Sequence, residues 1–87
     1  MKNEIKIAIL QRGWVYIGRF ERKGQDCKLT NAFNIRRWGT TEGLGELAEK
    51  GKLSNTILDK AGTVEFDYLT VVALLSVNQE VWKPLLK

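Results

Sequence analysis

Short segments of alternating apolar and polar residues, separated by turn residues, constrain the fold of this chain more than any other feature. The segment from Ile5 to Leu10 places a β-branched residue at every second position, and a second such segment runs from Trp14 to Arg22. A period of two residues is typical of β-strands, whereas an amphipathic helix repeats every three to four residues. We therefore predict antiparallel strands, with Ile5, Ile7 and Ile9 on the core face.

Further strands follow from the same pattern. Cys27–Trp38 predicts a third strand whose alternation slips near Asn31, which indicates a bulge. Thr63–Phe66 predicts a fourth strand. Thr70–Val77 is nearly all apolar and predicts a central strand that is buried on both faces. The predicted fold class is mainly β, with a minor helical part: a small, strongly bent antiparallel barrel or roll of about five strands.

One short helix is predicted after the third strand, over Gly39–Gly51. Leu44, Leu47 and Ala48 would form its apolar stripe, and Gly51 suits the left-handed position that ends many helices. Thr40 or Thr41 can cap its N-terminus. The free N–H groups there could instead hold an anion, but ordinary capping is favoured because Glu42 would repel a phosphate group.

The C-terminal segment is unusually apolar. Asn78 can begin a short helix there, and four apolar residues follow: Val81, Trp82, Leu85 and Leu86. A segment of this kind either completes the core of its own chain or packs onto a neighbouring copy. We expect the second arrangement, and hence a homo-oligomer, because a small β domain has a thin core.

Composition excludes most enzyme classes. The 87 residues predict one domain over residues 1–87, and they include no histidine and one cysteine, Cys27. Histidine-based triads and metal sites are therefore absent, and no internal disulfide can form. We expect no enzymatic activity, no cofactor and no metal, with Cys27 as a small core residue. The lone cysteine and the lack of a signal-peptide or membrane-spanning pattern indicate the cytoplasm.

The positive charge is concentrated beside aromatic residues. The net charge is +4, and residues 1–38 hold nine of the Lys and Arg residues against three Asp and Glu. Arginine forks match phosphate, and aromatic rings stack on nucleobases. The candidate ligand-binding residues are Arg12, Trp14, Tyr16, Arg19, Arg36, Arg37 and Trp38. Alternatively, the aromatic rings fill the core while the arginines lie over them, and Trp38 is then the residue that best suits a core position.

The chain also resembles a family of very small tailed-phage and prophage proteins that has no assigned activity. The resemblance rests on residues of the second strand, the third strand and the helix: Arg12, Val15, Gly18, Thr30–Ala32, Ile35–Trp38, Gly43, Leu44, Leu47, Ala48 and Gly51. It implies a phage origin and expression inside a bacterial host cell. It supplies no site residues.

These observations predict a viral binding protein that takes part in host takeover or counter-defence. The leading hypothesis is sequestration of a phosphate-bearing ligand, such as a nucleotide immune signal, in a pocket between the subunits of a homo-oligomer. One alternative is a small barrel that binds single-stranded nucleic acid on an open aromatic face. The other is a stoichiometric inhibitor of a host defence protein. Salt dependence separates the first two hypotheses, because binding to a nucleic-acid backbone weakens steeply with salt.

Overall fold

A single antiparallel sheet dominates the fold. The computed structural model describes residues 4–39 and 43–86, and its strands are β1 Ile5–Leu10, β2 Val15–Lys23, β3 Asp26–Arg37, β4 Ile57–Asp67 and β5 Val71–Ser76. They lie in the order β4-β3-β2-β1-β5. Two short helices, α1 Leu44–Lys50 and α2 Gln79–Trp82, follow β3 and β5. The predicted fold class, mainly β with a helix after the third strand, is confirmed.

The sheet does not close into a barrel. Among the described residues, β4 pairs only with β3 and β5 pairs only with β1, so these two strands form opposite edges of the sheet. Of the two predicted shapes, the closed barrel is therefore wrong. Bulges bend the open sheet instead, and one interrupts the pairing of β3 with both neighbours around Asn31, whose φ is 53°. This is the bulge that the slipped alternation predicts.

Both helices cover the same face of the sheet. Ile5, Ile7, Val15, Ile17 and Ile35 from the strands pack there with α1 and the C-terminal segment. The helical side contributes five fully or nearly fully buried residues, which are Leu44, Leu47, Ala48, Trp82 and Leu86. The face of β1 that the alternation assigns to the core is confirmed, because Ile5 and Ile7 have no exposed surface and Ile9 packs against the same cluster.

The opposite face carries a second apolar cluster, which we call the open face. Its buried members are Ala8, Leu10, Leu29 and Ala32, and its partly buried members are Tyr16, Phe20, Val64, Phe66, Val71 and Leu74. Within the described ranges, no residue of either helix belongs to this cluster. The sheet is therefore apolar on both faces, and helices cover only one of them.

Gly18 marks the closest approach of β2 and β3. A Cβ atom on Gly18 would lie 3.1 Å from the Cβ atoms of Leu29 and Ala32 and from the carbonyl oxygen of Thr30. This spacing is tighter than ordinary van der Waals contact, so the bulge beside Gly18 leaves little room for a side chain. A glycine inside a strand often marks such a close approach of two backbones.

The helix after β3 is shorter than its sequence pattern predicts. α1 begins at Leu44, with Gly43 as its N-cap, and ends at Lys50. The N–H of the C-cap residue Gly51 donates to the carbonyl oxygen of Leu47 at 2.9 Å. Gly51 has a φ of 85°, as expected for a left-handed helix end. Thr40 and Thr41, the predicted caps or anion ligands, lie outside the described residues.

The prediction of a central, doubly buried strand over Thr70–Val77 is wrong. β5 is an edge strand, and the side chain of Val72 is 65% exposed. β2 is the central strand instead. β5 is apolar because alternate residues face the two clusters, with Leu75 toward the helices and Leu74 in the open face. The apolar composition of β5 therefore does not require a paired strand on both of its sides.

The apolar C-terminal segment packs against its own sheet, contrary to the expectation that it covers a second copy. Trp82 and Leu86 have no exposed surface, and the indole N–H of Trp82 donates to the carbonyl oxygen of Ala48 at 3.3 Å. Gln79 donates to the carbonyl oxygen of Ile5 and accepts from its N–H, both at 2.9 Å. Asn78 caps α2 by accepting a hydrogen bond from the N–H of Glu80, as predicted.

Neither helix in the described part of the chain has the length and apolar character needed to cross a membrane.

Candidate functional site

Two stacked aromatic rings stand at one end of β2, on the side of the open face. The rings of Trp14 and Tyr16 lie 6.3 Å apart between centroids and are inclined by only 15°. Trp14 is 56% exposed, whereas Tyr16 is half-buried against the open-face cluster. Tyr16 thus anchors the stack, and Trp14 offers aromatic surface to a ligand.

Arg12 lies at the tip of the β1–β2 hairpin, two residues before Trp14 in the sequence. The turn Gln11–Gly13 forms this tip, and the N–H of Leu10 donates to the carbonyl oxygen of Trp14 across it at 2.7 Å. Arg12 is exposed and has a φ of 70°, a left-handed conformation that side chains with a Cβ atom rarely adopt. Its guanidinium makes no hydrogen bond or ion pair within residues 4–39 and 43–86. Gly13 also has a positive φ, of 82°, and two consecutive residues of this kind are the ordinary geometry of a tight β-hairpin turn.

Arg36 lies on β3, the strand next to the stack. Tyr16 pairs with Asn34, two residues before Arg36 along the strand. The guanidinium of Arg36 donates to both carboxylate oxygens of Asp59, at 2.9 and 3.4 Å. Arg36 is exposed, so this fork can exchange Asp59 for a phosphate group. Asp59 partly neutralises the charge and holds the guanidinium in place.

The other three predicted residues do not join this group. Arg19 lies on the helix-covered side, where its Nε donates to the backbone carbonyl of Leu86 at 3.3 Å. Arg37 is exposed at the end of β3. Trp38 is 41% exposed, so its predicted place in the core is wrong; Trp82 is the tryptophan that the core contains. Only its backbone is fixed, because Thr56 donates to its carbonyl oxygen at 2.7 Å.

We call the group of Arg12, Trp14, Tyr16 and Arg36 the hairpin site. No protein-family model and no curated protein matches this chain. Its function therefore has to be inferred from the chemistry of these side chains.

The open face carries further residues of the same types, which the sequence-based site omits. Phe20 continues the row of Trp14 and Tyr16 along β2, and it packs in the open-face cluster. At the far end of the row, the guanidinium carbon of Arg22 lies 3.4 Å from the centre of the Tyr68 ring. Positions 14, 16, 20 and 22 share the period of two that defines one face of a strand. The alternation that identified Trp14 and Tyr16 could have identified Phe20 and Arg22 as well.

A groove of about 560 Å³ lies at the β2–β3 hairpin end of the sheet, away from the hairpin site. Its charged lining consists of four carboxylates and two ammonium groups, from Glu21, Lys23, Asp26, Lys28, Glu65 and Asp67. The carboxylates outnumber the lysines, so the groove repels a phosphate-bearing ligand.

The described residues include no cluster of three or more potential metal ligands. Cys27 is buried, and loss of solvation raises the pKa of its thiol above the ordinary value of 9.0, although the positive charge of Arg22 opposes the shift. A thiol that stays protonated is a poor nucleophile. The predicted role of Cys27 as a small core residue is confirmed by its burial.

Proposed function

We propose that this chain is a non-enzymatic binding protein whose hairpin site holds a nucleobase and its phosphate, with single-stranded nucleic acid as the first candidate ligand. The observation that carries the proposal is the exposed ring of Trp14, held parallel to Tyr16 and two residues after an arginine without a partner in the described part of the chain. A base can stack on the free face of Trp14, and Arg12 can then reach the phosphate.

The shape of the surface favours a strand over a free nucleotide. A free nucleotide is usually held in a concave pocket that covers most of its surface. The hairpin site is instead the end of an open sheet face, and the row of aromatic side chains continues from Trp14 to Phe20 along β2. Successive bases of a strand can follow such a row without sequence preference, because every base presents an aromatic face.

Arg36 adds a second guanidinium that can bind phosphate, and its ion pair with Asp59 controls when it is free to do so. The ion pair is exposed on both sides, so it contributes at most about 1 kcal/mol to folding. A phosphate group would have to displace the carboxylate before it could take both donors of the fork. Removal of the carboxylate should therefore strengthen binding while leaving the fold intact.

The setting that we propose is the cytoplasm of a bacterial host during phage infection. The resemblance to very small tailed-phage proteins supports this setting, and a host-takeover role fits a chain that binds without chemistry. A nucleotide immune signal, the ligand of the leading sequence-based hypothesis, shares the base and phosphate chemistry of a strand. The same binding measurement distinguishes these two ligands.

The test is a titration of the protein with a fluorescently labelled single-stranded oligonucleotide, its duplex, and a panel of linear and cyclic nucleotides. We expect the single strand to bind best, with an affinity that falls steeply as salt rises. Trp14→Ala should weaken binding by about 1–3 kcal/mol through loss of stacking. Asp59→Asn should raise the affinity. If a nucleotide instead binds tightly and with weak salt dependence, the ligand of the hairpin site is a free nucleotide rather than a nucleic-acid strand.

Matched controls separate the site from general electrostatic attraction. Arg12→Gln and Lys52→Gln remove the same charge, but Lys52 lies between α1 and β4, outside the hairpin site. We expect Arg12→Gln to weaken binding by roughly tenfold, the scale of one charge-assisted hydrogen bond, and Lys52→Gln to have a much smaller effect. If no ligand of the panel binds tighter than about millimolar, a weak limit for specific recognition, the proposal fails. Co-purification with a host enzyme would then favour the inhibitor hypothesis.

A further inference from the structure

The two edges of the sheet differ sharply in charge. β4, at one edge, carries Asp59, Lys60, Glu65 and Asp67 within eleven residues. β5, at the other edge, lies inside the uncharged segment 69–78, which also contains no proline. Charged side chains on an edge strand oppose pairing with another strand. β4 therefore carries charges that oppose edge-to-edge association, whereas β5 carries none.

The surface of β5 is also apolar where it meets solvent. Val72 is 65% exposed, and Leu69, in the turn just before the strand, is 73% exposed. β5 pairs with β1 alone, so the backbone groups along its other side have no strand partner among the described residues. The pairing of β1 with β5 shifts by one residue at Val72, which leaves Ala73–Ser76 as a regular stretch. This stretch presents an ordinary strand edge.

We propose that β5 is a dimerisation edge, at which it pairs antiparallel with β5 of a second copy of this chain. A second copy is the occupant that the charge pattern favours. The chain carries a net charge of +4, so two copies repel each other in general. The uncharged segment 69–78 lets them meet without placing like charges across the contact. An antiparallel pair of identical strands is self-complementary about a two-fold axis, as a closed dimer requires.

The geometry of such a dimer has a consequence for the hairpin site. The two-fold axis of an antiparallel strand pair runs perpendicular to the sheet, so both copies turn their open faces to the same side. Five strand spacings separate β2 from β2 of the second copy, which is roughly 24 Å at about 4.8 Å per spacing. The dimerisation edge itself does not depend on the proposed ligand, and its test measures association alone.

The first test is the mass of the protein in solution, measured by sedimentation from micromolar to submillimolar concentration. We expect the 9.9 kDa chain to double its mass as concentration rises. Val72→Lys should weaken this association by about tenfold, because a lysine on the edge opposes strand pairing. Thr63→Lys is the matched control, since Thr63 is exposed on β4 and the substitution adds the same charge.

The second test uses hydrogen exchange and needs no substitution. Amides within Val71–Ser76 that point away from β1 should become protected at high protein concentration, whereas the outward amides of β4 should exchange at every concentration. A chain that remains monomeric throughout, or a dimer without new protection in β5, would overturn the proposal. Equal weakening by Val72→Lys and Thr63→Lys would also overturn it.

Discussion

Truncation of Leu86 tests where the apolar C-terminal segment packs. Leu86 has no exposed surface, and it belongs to the helix-side core with Trp82. Leu86→Ala should lower the free energy of unfolding by about 3 kcal/mol, within the range of 2–5 kcal/mol for buried leucines. The backbone contacts of this residue are retained, because Arg19 binds its carbonyl oxygen and its N–H donates to backbone carbonyls. The measured loss therefore reports the buried side chain.

Leu85 provides a matched control one residue earlier. Its side chain is 39% exposed, so Leu85→Ala should cost roughly 1 kcal/mol, in proportion to the smaller apolar area that it buries. Urea unfolding of the three proteins measures both values. With a slope of about 1–1.5 kcal/mol per molar urea for a small chain, Leu86→Ala should move the midpoint by about 2 M.

Protein concentration decides between packing within one chain and packing across two. A segment that packs in its own core gives a stability loss for Leu86→Ala that is the same at all concentrations. A segment that covers a second copy gives a loss that grows as the dimer becomes populated. Equal losses for Leu85→Ala and Leu86→Ala, or a loss for Leu86→Ala that depends on concentration, would refute the burial described here.

Two further predictions concern single buried or crowded positions. Gly39→Ala should destabilise the fold by about 2–4 kcal/mol, because its φ is 68° and a Cβ atom would overlap the backbone carbonyl of Asn55. Gly24 is the matched control, since its φ is 63° but the space around it is open. In the same urea experiment, Gly24→Ala should cost only about 1 kcal/mol. Cys27 should react with a thiolate-specific disulfide reagent at least about tenfold more slowly in the folded protein than in urea. The raised pKa of the Cys27 thiol predicts a contribution to stability that is complete below pH 9.0 and is lost as pH rises above that value. Fast labelling of this thiol in the folded protein would contradict both its burial and this pH dependence.

The faces of β1 and β2 were predictable because alternation reports directly which side chains share a face. The same pattern misled at β5, since an all-apolar segment fits either a doubly buried central strand or an edge strand of a sheet with two apolar faces. Leu74 and Leu75 serve different clusters. Nothing local distinguishes these cases, because the difference lies in which strand stands beside β5.

The hairpin site was predictable in part for a similar reason. Trp14 and Tyr16 are two residues apart on one strand, so their stacking follows from local geometry. The pairing of Arg36 with Asp59 joins residues that are 23 positions apart, and it depends on the register of β3 with β4. The path of the C-terminal segment, which alternation does not report, decides that Trp82 rather than Trp38 is buried.

The pairing of β5 with β1 also determines how long a stretch of chain must be closed into a loop when the sheet forms. β1 to β4 pair in sequence order, and the turn between β2 and β3 is only Gly24 and Gln25. β5 pairs with the first strand instead, and the pair Ile9 and Ala73 spans almost the whole sheet-forming part of the chain. The entropy cost of closing a loop grows with its length, by about 0.6 kcal/mol for each doubling. The pairing of β5 with β1 therefore carries the largest loop-closure cost in the sheet, and without β5 the strand β1 would be an uncovered edge.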